Sequence, residues 1–491
     1  MEKLTGLFQK PPRYVVASYL CSLGGFLIGI DTGIIGPVTV MDKFTDPFGH
    51  PSPAIHGLVV SSILVSAAVT SFLAGHVADI LGRPTGIAIG AMTFALGAAI
   101  EASAVHLGMF VAGRVVAGMG EGLTNGIMVV YICEISPARH RGPLTTGPQL
   151  LTCFGLMIGF FTCYGTARIE SDFCWRLPFV LLAAYSVVFS VVAYVLLPTS
   201  PRWLLERGNP TSEVAAAWVS LGILAADQED MPDEHFQAEE IKTSSNMMDV
   251  FLPDARPRFF IAVFLLAMQQ LCGIDGVLYY APLLFKQAGI GLEGDTFLVS
   301  GVLAIVIFSV SVPGTIWADG WGRRRNTIFG GLGMAGAMFI IGGLYAADAV
   351  HADGAGRWVV VVTIYFFTVV YCVSWGIVLK IYAAEIQPQR TRASATSIAH
   401  GANWLTNFLV ALITPALLAK SSFGAYFLFG GCTFLTAVVC WLFMPETRGR
   451  TLAEIQRAFH SNHSTKLKES LKSMGKGFRG KPTVVAMEEA N

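Results

Sequence analysis

The sequence predicts an all-α membrane protein with twelve transmembrane helices in two six-helix pseudo-repeats, and three observations carry that prediction. Its 491 residues are 53% hydrophobic and only 13% charged, whereas soluble chains carry about 25% charged residues. Apolar runs long enough to cross a bilayer, which takes about 20 residues, occur twelve times in two groups of six. Short charged motifs between the runs of the first half also return, in order, in the second.

The polar leader, residues 1–13, enters an apolar stretch too long for a cleavable signal and is expected to be cytosolic. Runs near 14–40, 57–78, 86–104, 107–132, 145–165 and 178–197 form a first bundle, 14–197. The stretch 198–258 is rich in Asp, Glu, Pro and Ser, holds the amphipathic SEVAAAWVSLGIL, and reads as a cytosolic linker with short helices. Runs near 259–287, 297–318, 327–346, 357–386, 393–419 and 423–444 form a second bundle, 259–444, followed by a basic cytosolic tail, 445–491. The sequon Asn462-His463-Ser464 falls in that tail and reads as chance.

Orientation follows from basic residues in the loops. Fourteen arginines, among them Arg83, Arg141, Arg323 and Arg392, fall on the side of the termini, against six Lys and Arg on the other, which puts both termini in the cytosol. The net charge is zero, which gives nucleic acid no electrostatic footing. Nine cysteines show no CxxC or Cys/His spacing, and they read as buried thiols, with Cys174 near an outer loop. No catalytic constellation, phosphate loop or metal cluster is present in the sequence, so an enzyme is rejected and no cofactor is expected.

The repeats are specific. DILGR (79–83) answers to DGWGRRR (319–325), EISPARHRG (134–142) to EIQPQRTRA (385–393), and GIDTG (29–33) to GIDGV (273–277), at offsets between 240 and 251. Acids add little to topology, so the paired acids in these loops point to an inner gate: Asp79, Arg83, Glu134 and Arg141 in the first half, Asp319, Arg323, Glu385 and Arg392 in the second. Such bridges close the inner side while the outer side is open.

GRVVAGMGEG (113–122), YICEISPARHRG (131–142), PTSPRWLLERG (198–208), QQLCGIDGVLYYAP (269–282), ADGWGRRR (318–325) and MPETRGRTLAEI (444–455) stand in order along the chain. With these motifs the chain, from about residue 14 to 456, resembles the sugar porter family of the major facilitator superfamily, most closely its fungal members. The resemblance implies the major facilitator fold and a plasma-membrane carrier working by alternating access on a site between the halves. It also implies a small-molecule substrate (hexose, pentose or polyol), a monomer in the lipid bilayer, and protons as coupling ion. Gln149, the pair Gln269 and Gln270, the aromatic pair Tyr279 and Tyr280 of the outer gate, Trp404 and Asn407 match family substrate-site positions. Amides donate to and accept from hydroxyls, while aromatic faces stack on a pyranose. In members that co-transport protons an Asp at the position of Asp31 faces an Arg at that of Arg114; passive facilitators usually carry an uncharged residue there. The alternative is a static buried salt bridge.

The sequence also departs from the family pattern. Asp275 stands for an asparagine, Ile307 for another, and Lys380 for the tryptophan that floors the sugar site. Ile80 and Pro84 replace residues that are commonly basic, which is expected to weaken the first-half lock. A cation inside a membrane run is costly. Lys380 is therefore open to three readings: a pair with Asp275, a snorkelling stem that reaches Glu385 or the loop acids, or a partner for an anionic substrate. Transport of a sugar acid, another organic acid or a secondary metabolite is the alternative function, and a non-transporting sugar sensor is a third.

Overall fold

A computed structural model describes residues 11–49, 51–223, 247–253, 255–290, 293–317, 322–351, 354–388 and 391–448. Twelve helices among them are long and apolar enough to span a membrane, and no strand occurs among the described residues. They are α1 (Arg13–Thr39), α2 (Pro53–Leu81), α3 (Arg83–Ala102), α4 (Leu107–Ile135), α5 (Gly147–Thr166) and α6 (Phe173–Leu196), then α7 to α12. α7 is built from three pieces, α7a (Arg256–Leu271), α7b (Ile274–Tyr279) and α7c (Ala281–Gln287). α8 (Glu293–Trp317) and α9 (Arg323–Ala346) precede α10, which is α10a (Ala355–Val373) plus α10b (Trp375–Glu385); α11 (Arg392–Lys420) and α12 (Gly424–Phe443) follow. The linker contributes short helices at Pro201–Glu206 and Thr211–Leu221 and a 3-10 turn at Met247–Phe251.

The two halves share a packing plan. In the first, α1 packs on α5, α2 and α3 on α4, and α3 on α6; in the second, α7 packs on α11, α8 and α9 on α10, and α9 on α12. The recurring Gly-Arg of the loop motif has a backbone reason. Gly82 (φ 88°) joins α2 to α3 and Gly322 (φ 82°) leads into α9, both in a region that side chains with a Cβ avoid.

Within the first half, glycines set the distance between α1 and α5. A Cβ on Gly25, Gly29 or Gly33 would lie 2.2, 2.1 or 2.4 Å from the carbonyl oxygens of Pro148, Thr152 and Leu156. Small residues at that spacing let two helices touch backbone to backbone, the usual way to pack where lipid removes the hydrophobic drive.

Two expected spans differ from the structure. The runs 259–287 and 357–386 read as continuous helices, yet both break. α7 turns at Gly273 (φ 89°) and again at Tyr280 (φ −110°). α10 turns at Ser374 (φ −113°, ψ −82°), whose N–H still donates to Val370 and Tyr371 carbonyls. Non-helical backbone within a membrane is tolerated where it is buried in protein or lines a cavity; Gly273, Tyr280 and Ser374 are buried, while Ile274, Asp275 and Gly376 beside them line a cavity. The halves meet where α2 packs on α11 and α5 on α8. On the face opposite the arginine loops they approach to backbone contact: a Cβ on Gly36 would sit 2.1 Å from the Tyr279 carbonyl, and one on Gly57 2.2 Å from that of Leu412.

Candidate functional site

A cavity of about 240 Å³ lies between the halves, walled by α1, α4 and α5 on one side and α7, α8, α10 and α11 on the other. Of the residues expected at a substrate site, Gln149, Gln270, Asp275, Tyr279, Lys380, Trp404 and Asn407 line it. Gln269 and Tyr280 do not. Gln269 points back into the second half, where its Nε2 donates to the Trp375 carbonyl at 2.7 Å and its Oε1 accepts from Asn403 at 3.1 Å. Tyr280 is buried with its hydroxyl donating to the Ala411 carbonyl at 2.6 Å and its ring edge-on to His56. Successive helical residues point about 100° apart, so one member of each adjacent pair had to turn away.

The wall is rich in unanswered acceptors. Gln270 Oε1, Asn407 Oδ1 and Asp275 Oδ2 are buried and lack a donor among the described residues. The Gln270 amide nitrogen donates to Asn403 Oδ1 at 3.2 Å, and Asn403 in turn donates to the Leu266 carbonyl at 2.7 Å. That network fixes the Gln270 amide from behind and leaves its oxygen for a donor. Asn403 itself lines the cavity; its spacing of four from Asn407 on α11 was the available sign. Ile307 lies in the wall as the sequence suggested, beside Ser311, whose hydroxyl donates to the Ile307 carbonyl.

Lys380 also lies in this wall, half-buried. Its ammonium makes no hydrogen bond or ion pair among the described residues, so of the three readings the pair with Asp275 is not formed. Snorkelling to Glu385 is not seen either, since that carboxylate is held by Arg323 at 3.2 Å and by the Thr447 hydroxyl at 2.8 Å.

Beside the cavity is a charged cluster. Arg114 Nη1 donates to Asp31 Oδ1 at 2.6 Å, with side chains 0% and 5% exposed, and Nη2 donates to the Val60 carbonyl at 3.3 Å. Two acids that sequence reasoning passed over join it. Glu101 of α3 reaches the same guanidinium at 3.8 Å. Glu121, seven residues and so two turns along α4 from Arg114, lines the cavity and is coupled electrostatically to both Asp31 and Arg114.

The loop charges lie together on the arginine-rich face. Arg83 bonds Glu134 through Nε and Nη2 at 3.1 and 2.9 Å and Asp79 through Nη1 at 3.0 Å. In the second half Arg323 bonds Glu385, while Asp319 lies outside the described residues. Arg141 and Arg392 occupy equivalent places but donate to backbone carbonyls, of Ser136 at 3.4 Å and Gln387 at 3.5 Å, rather than to acids. The first-half lock, expected to be the weaker, has the shorter contact and is the more buried. Trp203 and Arg207 of the linker help by donating to the Asp79 and Ile80 carbonyls.

Twelve membrane helices in two like halves around a polar cavity, with a buried ion pair at its edge, define a secondary transporter. The family described as Sugar (and other) transporter matches residues 17–459. The chain belongs to that family, the sugar porter branch of the major facilitator superfamily, and is a membrane transporter rather than an enzyme. Among its relatives, the high-affinity glucose transporter of Kluyveromyces lactis is 28% identical over 490 residues, covering 93% of this chain and 88% of that one. Sugar transport protein MST7 of Oryza sativa subsp. japonica is 30% identical over 473 residues, covering 90% of each. The partially occluded, inward-open xylose transporter XylE from E. coli superimposes with a TM-score of 0.74 at 25% identity, covering 89% of this chain and all of that one. A crystal structure of a D-xylose-proton symporter gives 0.71 at 26% identity over 89% of this chain.

Proposed function

We propose that this protein carries a sugar across the plasma membrane together with a proton, by alternating access, as a monomer with both termini in the cytosol. The observation that carries the coupling is the Asp31–Arg114 contact, 2.6 Å long and shut away from solvent beside the cavity. Protonating Asp31 removes one charge of a buried pair and so releases the guanidinium, which has Glu101 and Glu121 within electrostatic reach as new partners. A rearrangement at the α1–α4 contact then follows proton binding. Hydroxyl recognition rests on the amide and carboxylate oxygens in the wall that lack donors, with Tyr279 and Trp404 as apolar faces. Fourteen arginines on the linker side support a cytosolic orientation of that face. No cofactor is needed, since the proton is the coupling ion. The kinship with a glucose transporter and a xylose–proton symporter supports the same reading.

The test is uptake into a transporter-deficient cell, with and without a protonophore, for the wild type and Asp31→Asn. The wild type concentrates substrate and loses that ability with protonophore. Asp31→Asn still exchanges labelled for unlabelled substrate but no longer concentrates it. Uphill accumulation by Asp31→Asn overturns the assignment.

A further inference from the structure

Lys380 and Asp275 face one cavity without touching, and that separation bears on which sugar the site takes. An ammonium in the membrane interior is stable only with partners, and this one has none among the described residues. Titratable groups within electrical reach of it include Asp275 of α7b, Cys153 of α5 and His400 of α11. None is an anion in contact with it. Across the wall, Asp275 Oδ2 lacks a donor, as do Gln270 Oε1 and Asn407 Oδ1. The cavity thus offers a cation in need of an acceptor together with oxygens in need of donors.

Resting on the reading of the protein as a proton-coupled sugar carrier, we propose that its substrate is a sugar acid. The carboxylate lies against Lys380 and the hydroxyls donate to Asp275, Gln270 and Asn407. A neutral sugar answers the oxygens but leaves the ammonium with hydroxyl oxygens alone, a weaker partner than a carboxylate. Of the wall's other charges, Glu121 belongs to the Arg114 cluster, and Asp275, which is within electrical reach of Lys380 without bonding it, is assigned the ligand's hydroxyls through its donor-free oxygen. Stoichiometry then has a consequence. A monoanion and one proton cross with no net charge, so a membrane potential, which acts at about 2.3 kcal/mol per charge per 100 mV, neither drives nor opposes uptake.

The test uses the purified full chain in proteoliposomes, with D-glucuronate against D-glucose, which differ by a carboxylate in place of a hydroxymethyl group. Under an inwardly directed proton gradient the wild type concentrates D-glucuronate, unlabelled glucuronate competes at least about tenfold better than glucose, and a valinomycin-imposed potential leaves the rate unchanged. Lys380→Met loses glucuronate uptake and the glucuronate-induced rise in melting temperature, while Lys380→Arg keeps both. A wild type that concentrates glucose, and with which glucuronate neither moves nor competes, overturns the sugar-acid assignment and leaves proton symport standing. Glucuronate binding that needs Lys380 without any gradient-driven accumulation supports the assignment and overturns the coupling on which transport was argued. Glucuronate binding unchanged in Lys380→Met overturns the role of that lysine.

Discussion

α1 and α7 hold equivalent places in the two halves, yet one is continuous and the other is in three pieces. α1 is clamped to α5 along three glycines at backbone contact, and it carries Asp31 of the buried cluster. α7 turns at Gly273 and Tyr280, and with the broken α10 it supplies Gln270, Asp275, Tyr279 and Lys380 to the cavity wall. The ionic locks differ in the same sense. Arg83 and Glu134 are 5% and 7% exposed, whereas Arg323 and Glu385 are 12% and 33% exposed. A closely packed first half that holds the Asp31–Arg114 pair and a segmented second half that supplies more of the cavity wall would, on the proposed function, divide the two tasks of a coupled carrier between them.

That division can be broken experimentally. The largest effect is expected for Arg83→Ala, which leaves Glu134 buried without its partner at a cost of about 3–5 kcal/mol; detergent-solubilised protein should melt far lower or fail to accumulate. Gly29→Ala comes next, since its Cβ meets the Thr152 carbonyl at 2.1 Å and backbone cannot yield as a side chain does; a loss of about 3 kcal/mol should appear in the same melting assay. Gly273→Ala strains a residue at φ 89° and crowds the Phe429 ring, for about 1–3 kcal/mol. Its signature should be a reduced transport rate alongside the lower melting temperature, because the break that positions Asp275 is altered. Arg323→Ala, at the half-open lock, should cost no more than about 1 kcal/mol while raising labelling of a cysteine placed near the arginine-face end of the cavity. Equal losses at Arg83 and Arg323 would erase the asymmetry, and a silent Gly29→Ala would remove its cause.

Much of this was legible in the sequence, because span length and loop charge are one-dimensional signals. The repeats at DILGR and DGWGRRR already contained the glycines that turn the chain between helices. The breaks in α7 and α10 were hidden, since Gly273 and Ser374 sit inside spans whose overall hydropathy is that of a continuous helix and carries no direction. Facing was legible but unused: neither Gln269 with Gln270 nor Tyr279 with Tyr280 can share one wall of a helix. Glu121 could have been found from its two-turn spacing to Arg114. Glu101 could not, because its partner lies on another helix. Nor could any spacing tell that Lys380 and Asp275 share a cavity without meeting.

Glu446, beyond the last membrane helix, accepts the backbone N–H groups of Arg323 at 2.8 Å and Arg324 at 3.2 Å, and Thr447 beside it holds Glu385. The carboxylate therefore caps the start of α9, where unsatisfied donors and the helix dipole favour an anion. For protein engineering this sets a limit on trimming from the C-terminal end. A truncation before Glu446 removes the cap of α9 and a fastener of the second-half lock in one step.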